Sequence, residues 1–479
     1  MMSGCSQRFN LRRPEMRYTP ERMHVSEGCP AFLPRPLPVP RDGRGATPLP
    51  PGAAQGDTFT RSSGERGRRA SGSTSCPSAA RDPLLTSTAL PALQEGAQRD
   101  FWAWDFAVMP PAPKVVHATL RALGDRSQIW VDDSAYGQSV SAADVAALGD
   151  RLERHAPSGA VDPTRGIVDI DTAYFGPPPT GIDPDPRVTV LVTPFATFNG
   201  TSMDGYFNAF DQMPDSESWQ KYQQHSNERN VIYLNAAGAP ISGDYMQGVL
   251  AHELSHLLQY GRAPEQSSWL GETLAEVAMA VNGYHTDHSH VARHQRKPSS
   301  PVESETYVDY GAAYLLGTFM LERYGAGFIT ALAAHEGNGR GAIDATLREC
   351  GSTDTFQSLI GDWAVANYAD ARGAVGPGRH YASLDVPAPA ETVVSSTEAH
   401  AEGSLRPTGV AYIRVDAERG ARLDVEGGSA AVRALRFDGP RLSVTELDAR
   451  GGVNVAAGTV LAIAAVGSEP ARYTVQAAS

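Results

Sequence analysis

A chain of 479 residues is too long for one ordinary hydrophobic core, and about 150 residues per domain implies two to four units. Its net charge of −13, with no basic stripe interleaved with aromatics in the folded part, excludes a nucleic-acid-binding surface. No apolar run nears the roughly 18 residues of a membrane-spanning helix, the nearest being "YLLGTFML" at 314–321, so a membrane span is excluded as well.

The first segment, residues 1–100, differs from the rest. Up to residue 99 it holds 14 Arg, no Lys and 8 acidic residues, with 13 of the 35 prolines. It offers too little apolar surface to fold and reads as a disordered arm, or as an extension from a start codon placed too far upstream. "MMSGCSQRFNLRRPEMRY" lacks the apolar core of a secretory signal, and "LLTSTALPAL" (84–93) only faintly imitates one. Cys5, Cys29 and Cys76 lie in the arm and Cys350 stands alone beyond it. This distribution predicts no disulfide within the folded part.

Residues 101–385 read as an α+β unit, a mixed strand-rich half (101–240) followed by a mainly helical half (241–385). "SQIWVDD" (127–133) is a strand, and Ser141 caps a helix through "SAADVAALGDRLERHA" (141–156), with Val145, Leu148 and Leu152 on one face. The turn "GIDPDP" leads into a buried strand, "RVTVLVTPF" (187–195), and "GYFNAFD" (205–211) and "NVIYLN" (230–235) are two more. From about 243 the period is helical: "DYMQGVLAHELSHLLQY" closed by Gly261 as a C′ residue, then "SSWLGETLAEVAMAV" with Ser267 or Ser268 as cap. A third helix, "YVDYGAAYLLGTFMLERYG" (307–325), precedes helical patterns running to about 370. "VPAPAETVVSSTEAHAEG" (386–403) is a linker. Six short alternating runs in 404–479, from "GVAYIRVDA" to "ARYTVQAA", predict a small all-β sandwich-like domain, an accessory for surface or polymer binding.

Within the first of these long helices, His252 and His256 are four residues apart and so share a face, with Glu253 beside them. Two neutral imidazoles suit zinc, which takes three protein ligands and keeps an open position for water in catalytic sites. Composition alone gives only about 0.02 chance matches to His-Glu-x-x-His in such a chain. A bland alternative, two half-buried histidines on a leucine-rich helix, remains until a third ligand is found. "WLGETLAEVA" supplies it: a short polar loop returns an antiparallel helix across the first, so Glu272 completes the set and Glu276, one turn on, accepts the outer N–H of a ligating imidazole. Its apolar neighbours Trp269, Leu270, Leu274 and Val277 set these carboxylates apart from an ordinary solvated acidic face.

With these motifs in place the chain resembles a gluzincin metallopeptidase, and more narrowly the hyicolysin family of bacterial neutral zinc endopeptidases. The resemblance spans roughly 127–370, through "IWVDD", "VTVLVTPF", "DGYFNAFDQ", "SNERNVIYLN", "LAHELSHLLQY", "WLGETLAEVA", "YGAAYLLGTFML" and "DWAVANY" in order. The family usually reads Trp-Leu-Asn-Glu-Gly at the third ligand, whereas this chain has Gly271 before Glu272 and Thr273 after it. The resemblance implies a gluzincin-type fold, one Zn2+ ion, a protein or peptide substrate, and an extracellular or cell-surface location in a bacterium. It also implies Glu253 as the general base and a Tyr or His donor for the oxyanion, for which Tyr310 and Tyr314 are the candidates.

Two other clusters invite metal readings. "YHTDHSHVARH" carries His285, His288, His290 and His294, a second metal site or a solvated turn. The aspartates of "DIDTAYFG" and "GIDPDP" are spaced for calcium or for turns, and neither fits an EF-hand loop. "DGYFNAF" is the edge strand expected to align a substrate. Two competing readings stand beside the endopeptidase. One is an aminopeptidase, although the chain lacks that group's Gly-x-Met-Glu-Asn signature. The other is a non-catalytic binding protein on a peptidase fold, which intact His252, Glu253, His256 and Glu272 disfavour.

Overall fold

A computed structural model describes Cys76 and residues 93–108, 110–197, 203–284, 289–304, 308–374 and 380–478. Strands β1 (Gln98–Asp105), β2 (Ala112–Leu123), β3 (Ser127–Asp132), β4 (Val188–Thr193), β5 (Gly205–Phe207) and β6 (Val231–Asn235) form one mixed sheet in the order β1-β2-β3-β4-β6-β5. β3, β4 and β6 run parallel. A parallel pair needs a crossover, which helices α1 (Ala142–Glu153) and α2 (Ile167–Phe175) provide between β3 and β4. β4 is buried at all six positions, and its alternation serves two cores: Val188, Val190 and Val192 join the main cluster, while Leu191 joins Phe101, Trp130 and Tyr233 on the opposite face.

The helical half follows with α3 (Asp215–Tyr222), α4 (Asp244–Tyr260), α5 (Ser268–Val281), α6 (Ser289–Arg296), α7 (Tyr310–Tyr324), α8 (Ala326–Ala333), α9 (Gly339–Glu349) and α10 (Phe356–Ala369). α4 lies between β5 and β6 on one side and α2 and α5 on others, and α7 packs on both α5 and α6. Ser141 forms the capping box expected for α1.

Several expectations need correction. "GYFNAFD" is a strand only to Phe207, because the Asn208 side chain accepts from the Phe210 amide and starts a 3-10 turn at Ala209–Gln212. Gly261 closes α4 with φ −61°, not in the left-handed region; a Cβ there would meet Pro179 Cγ at 2.6 Å, so close approach is what requires glycine. Ser267 stands at the N-cap of α5 but makes no capping hydrogen bond. The third helix begins at Tyr310 with Asp309 as its cap. "DIDTAYFG" lies mostly in α2, and Asp171 is fully buried against the Asn282 amide at 2.6 Å.

The C-terminal region packs a four-stranded sheet, β13-β10-β15-β8, on a five-stranded one, β12-β11-β14-β9-β7. Their elements are β7 (Thr392–Val394), β8 (His400–Leu405), β9 (Val410–Val415), β10 (Ala421–Gly427), β11 (Ala430–Asp438), β12 (Arg441–Leu447), β13 (Val453–Val455), β14 (Thr459–Ala465) and β15 (Ala471–Ala477). The supposed linker 386–403 therefore contains β7 and the start of β8, which pair with β9 and β15. β14 is buried throughout: Leu461, Ile463 and Ala465 face the sandwich core, while Val460, Ala462 and Ala464 join the main core beside α10. Tyr412 Oη donates to the Ala364 carbonyl of α10 at 2.8 Å. Arg340 of α9 donates to the Val466 and Gly467 carbonyls at 2.8 and 2.9 Å and pairs with Glu303.

A disulfide joins Cys76 to Cys350 across 274 positions, which corrects the reading of Cys350 as unpartnered. Its distance in sequence is why spacing did not reveal it. Among the described residues no helix is long and apolar enough to cross a membrane.

Because the β unit shares the main core, the intact chain should melt in one calorimetric transition, and a second resolved transition would show the β unit folding independently. Tyr412→Phe removes the second, buried hydrogen bond to the Ala364 carbonyl, which keeps its helical one, and should cost about 0.5–1.5 kcal/mol in denaturant unfolding.

Candidate metal centre

α4 brings His252, Glu253 and His256 into a layer almost sealed from solvent: they are 0%, 0% and 6% exposed. Leu250, Leu254, Leu257 and Leu258 fill the rest of its circumference in the main core. α5 crosses next to it and carries Glu272 and Glu276, 3% and 2% exposed. The structure thus brings together the four residues that the two motifs proposed, along with the outer carboxylate.

Glu272 reaches both histidines, its Oε2 lying 3.2 Å from His252 Nε2 and its Oε1 3.8 Å from His256 Nε2. Among the described residues these three side chains form the group able to hold a metal ion, with ligand atoms all within 4.8 Å of one another. Tetrahedral bonds of about 2.0–2.1 Å place ligand atoms about 3.3 Å apart, close to what is seen. His256 Nε2 is buried with no hydrogen-bond partner, a costly state for a polar atom unless something binds it. The residues present therefore fit a divalent cation. Glu276 Oε1 lies 3.5 Å from His252 Nδ1, which favours the tautomer with a proton on Nδ1 and a lone pair on Nε2, facing Glu272.

Protonation follows the same geometry. Burial pushes the His256 imidazole well below its ordinary range, and the neighbouring His252 adds to that, so it is neutral and ready to ligate. Burial also opposes charging of His252, but Glu272 and Glu276 outweigh it and hold the imidazole well above its usual range. Burial raises Glu272, against the pull of His252. A bound cation takes the place of that proton on His252 and favours the ionised Glu272.

Glu253 points from α4 toward β5. A Cβ on Gly205 would meet Val249 Cγ1 at 2.7 Å and Glu253 Cγ at 3.1 Å, so the helix can approach this edge strand only because residue 205 lacks one. The sequence offered no sign of this role; it depends on which strand faces α4. Tyr310 and Tyr314 part ways. The Tyr310 ring is half-buried and 6.2 Å from the His252 ring, whereas Tyr314 is 4% exposed in the main core, its phenol pushed up to about 12 by burial, with Thr318 opposing and Glu276 adding. Position favours Tyr310.

In "GIDPDP", Asp185 accepts two hydrogen bonds from the buried Arg187 guanidinium and one from Gln128, and Asp183 accepts from the Asp185 amide. Asp171 accepts from Asn282 at one oxygen, while Asp171 Oδ2 and Asp183 Oδ2 are buried without a hydrogen-bond partner. Among the described residues these aspartates do not form a group of three ligands able to hold a metal ion. His285 and His288 lie outside the described residues. His294 is buried and binds Asp309 at 3.0 Å.

Neither a protein-family model nor a curated protein sequence matches this chain. Among solved structures, partial likeness is found to periplasmic lysozyme inhibitors of g-type lysozyme. The protein from Aeromonas hydrophila is 15% identical, covering 18% of this chain and 98% of that one, with a TM-score of 0.14. That from Salmonella Typhimurium is 13% identical, covering 18% and 96%, at the same TM-score of 0.14. A mutant of the Escherichia coli inhibitor is 13% identical over 18% and 98%, again at 0.14. Likeness at this level carries no argument about this chain.

Elemental analysis of the purified protein should find one equivalent of divalent metal. His252→Ala, His256→Ala and Glu272→Gln should each reduce it to a small fraction, while Glu253→Gln retains it. Equal metal in all four variants would place the ion elsewhere.

Proposed function

We propose that this protein is a gluzincin-type, zinc-dependent endopeptidase that hydrolyses peptide bonds with Glu253 as general base. The observation that carries the reading is the buried His252, His256 and Glu272 group with Glu253 on the same helix beside an edge strand. Zinc held by those three side chains would polarise the scissile carbonyl and lower the pKa of the attacking water toward 7.

The chain's own residues supply the rest. Glu276 holds His252 in the ligating orientation. Glu253 accepts a proton from the attacking water as its oxygen bonds to the carbonyl carbon, and delivers that proton to the leaving nitrogen as the C–N bond breaks. Tyr310 donates its phenolic hydrogen to the oxyanion of the tetrahedral intermediate. β5 aligns the substrate. Since the Asn235 amide donates to the Asp204 carbonyl, antiparallel alternation turns the backbone groups of Gly205 and Phe207 away from β6, where a peptide main chain can pair with them.

The Cys76–Cys350 disulfide supports a secreted or cell-surface protein, since such bonds persist in oxidising compartments.

The test is cleavage of an internally quenched peptide with acetylated and amidated termini. Wild type should cut it, and Glu253→Gln should lose about 10²–10⁴-fold in kcat while keeping its metal. Stoichiometric metal without cleavage by wild type would replace the enzyme with a binding protein. Activity confined to peptides with a free amino terminus would replace it with an aminopeptidase.

A further inference from the structure

Helix α6 contributes nothing to the metal group itself, yet it holds the first turn of α7 through a buried contact. His294 is 1% exposed, and its Nδ1 lies 3.0 Å from Asp309 Oδ2. The other oxygen of the same carboxylate, Oδ1, accepts from the Ala312 amide at 3.1 Å and caps α7. One side chain thus ties two helices together immediately before Tyr310.

The contact is held from behind and from the side. Trp363 of α10 stacks on the His294 ring, with centroids 5.8 Å apart and planes inclined by 27°, so the imidazole cannot turn away. Gln295, the next residue, donates to the Asn367 carbonyl of α10 at 3.0 Å. Gly311 marks where α6 and α7 touch: a Cβ there would lie 2.1 Å from the His290 carbonyl oxygen and 3.0 Å from His294 Cβ. Tyr310 sits between the two, its ring 6.1 Å from the His290 ring and 6.2 Å from that of His252. Although burial opposes it, the Asp309 carboxyl is held below its ordinary range by His294 and the Ala312 amide, as befits a carboxylate that caps a helix N-terminus.

We infer that His294 and Asp309 are positioning residues, which fix the first turn of α7 so that Tyr310 is presented to the metal group. The inference rests on the endopeptidase reading for its effect on turnover, and on the geometry alone for its effect on Tyr310.

The experiment has two arms. In the first, the metal-free protein carries tyrosine labelled with ¹³C at Cζ, and the Tyr310 signal is assigned by its loss in Tyr310→Phe. His294→Gln should shift or broaden that signal while leaving the other tyrosines in place. Asp309→Asn, which keeps a competent cap and so guards against misfolding, should do the same. An unchanged Tyr310 signal in both folded variants would overturn the inference. In the second arm, His294→Gln should lower kcat about 10- to 100-fold, with KM and metal content unchanged. The same substitution made on top of Tyr310→Phe should have little further effect, because residues that act through one another are not additive. Equal losses in both backgrounds would overturn it. An inactive wild type with a shifted Tyr310 signal would sink the peptidase reading and still support the positioning role.

Discussion

The structure depends on burying three carboxylates and two imidazoles in one layer. Glu253, Glu272, Glu276, His252 and His256 are each 6% exposed or less. Burying charge is expensive unless it is paired, and neutral imidazoles bring no charge to set against the carboxylates. A divalent cation on His252, His256 and Glu272 would supply positive charge at the point where His256 Nε2 has no hydrogen-bond partner. Proton uptake by His252, driven by Glu272 and Glu276, is how the same cluster is balanced without an ion. The helices around this polar layer keep it almost sealed from solvent.

Keeping it dry requires rigid neighbours. α4 has the sheet on one side and α5 on another, α5 is backed by α7, and α7 is fastened to α6 by Asp309. α6 in turn meets α10 through Trp363 and Gln295, and α10 is covered by β11 and β14 of the C-terminal sandwich. A continuous run of packed elements therefore joins the β unit to Tyr310. This explains why the sandwich shares the main core through Tyr412, Leu435 and Val460 and is not suspended on a flexible segment.

How much of this was legible in the sequence follows from the range of each interaction. His252, His256 and Glu253 were visible because helical period alone puts them together, and Glu272 and Glu276 because only a short loop separates the two helices. β4 and β6 carry strong local patterns and match their predicted spans within two residues, and α1 starts where its Ser141 cap predicts but ends at Glu153, three residues short of the predicted span. β1, β2, β7 and β8 were not, because each mixes charged or small residues with its apolar ones and acquires its pattern only from the strand it pairs with. The Cys76–Cys350 bond and the His294–Asp309 pair were likewise out of reach. His294 lies in a histidine cluster and Asp309 inside a predicted helix, but nothing local says that the chain folds one onto the other.

The edge strand shows how closely these constraints interlock. Gly205 must lack a Cβ so that Glu253 can lie against the strand, and Asn208 ends the strand three residues later by capping the next turn. On the proposed reading a longer strand would offer a peptide more backbone partners, yet it would carry side chains with Cβ atoms past the face of α4 that holds Glu253. Only Gly205 and Phe207 turn their backbone groups outward on so short an edge. Two such residues can set the direction and register of a bound main chain but contribute little affinity. On the proposed endopeptidase reading, discrimination between peptides would then come from the side chains around the centre, and the short strand would leave Glu253 as close to a substrate backbone as the packing of α4 allows.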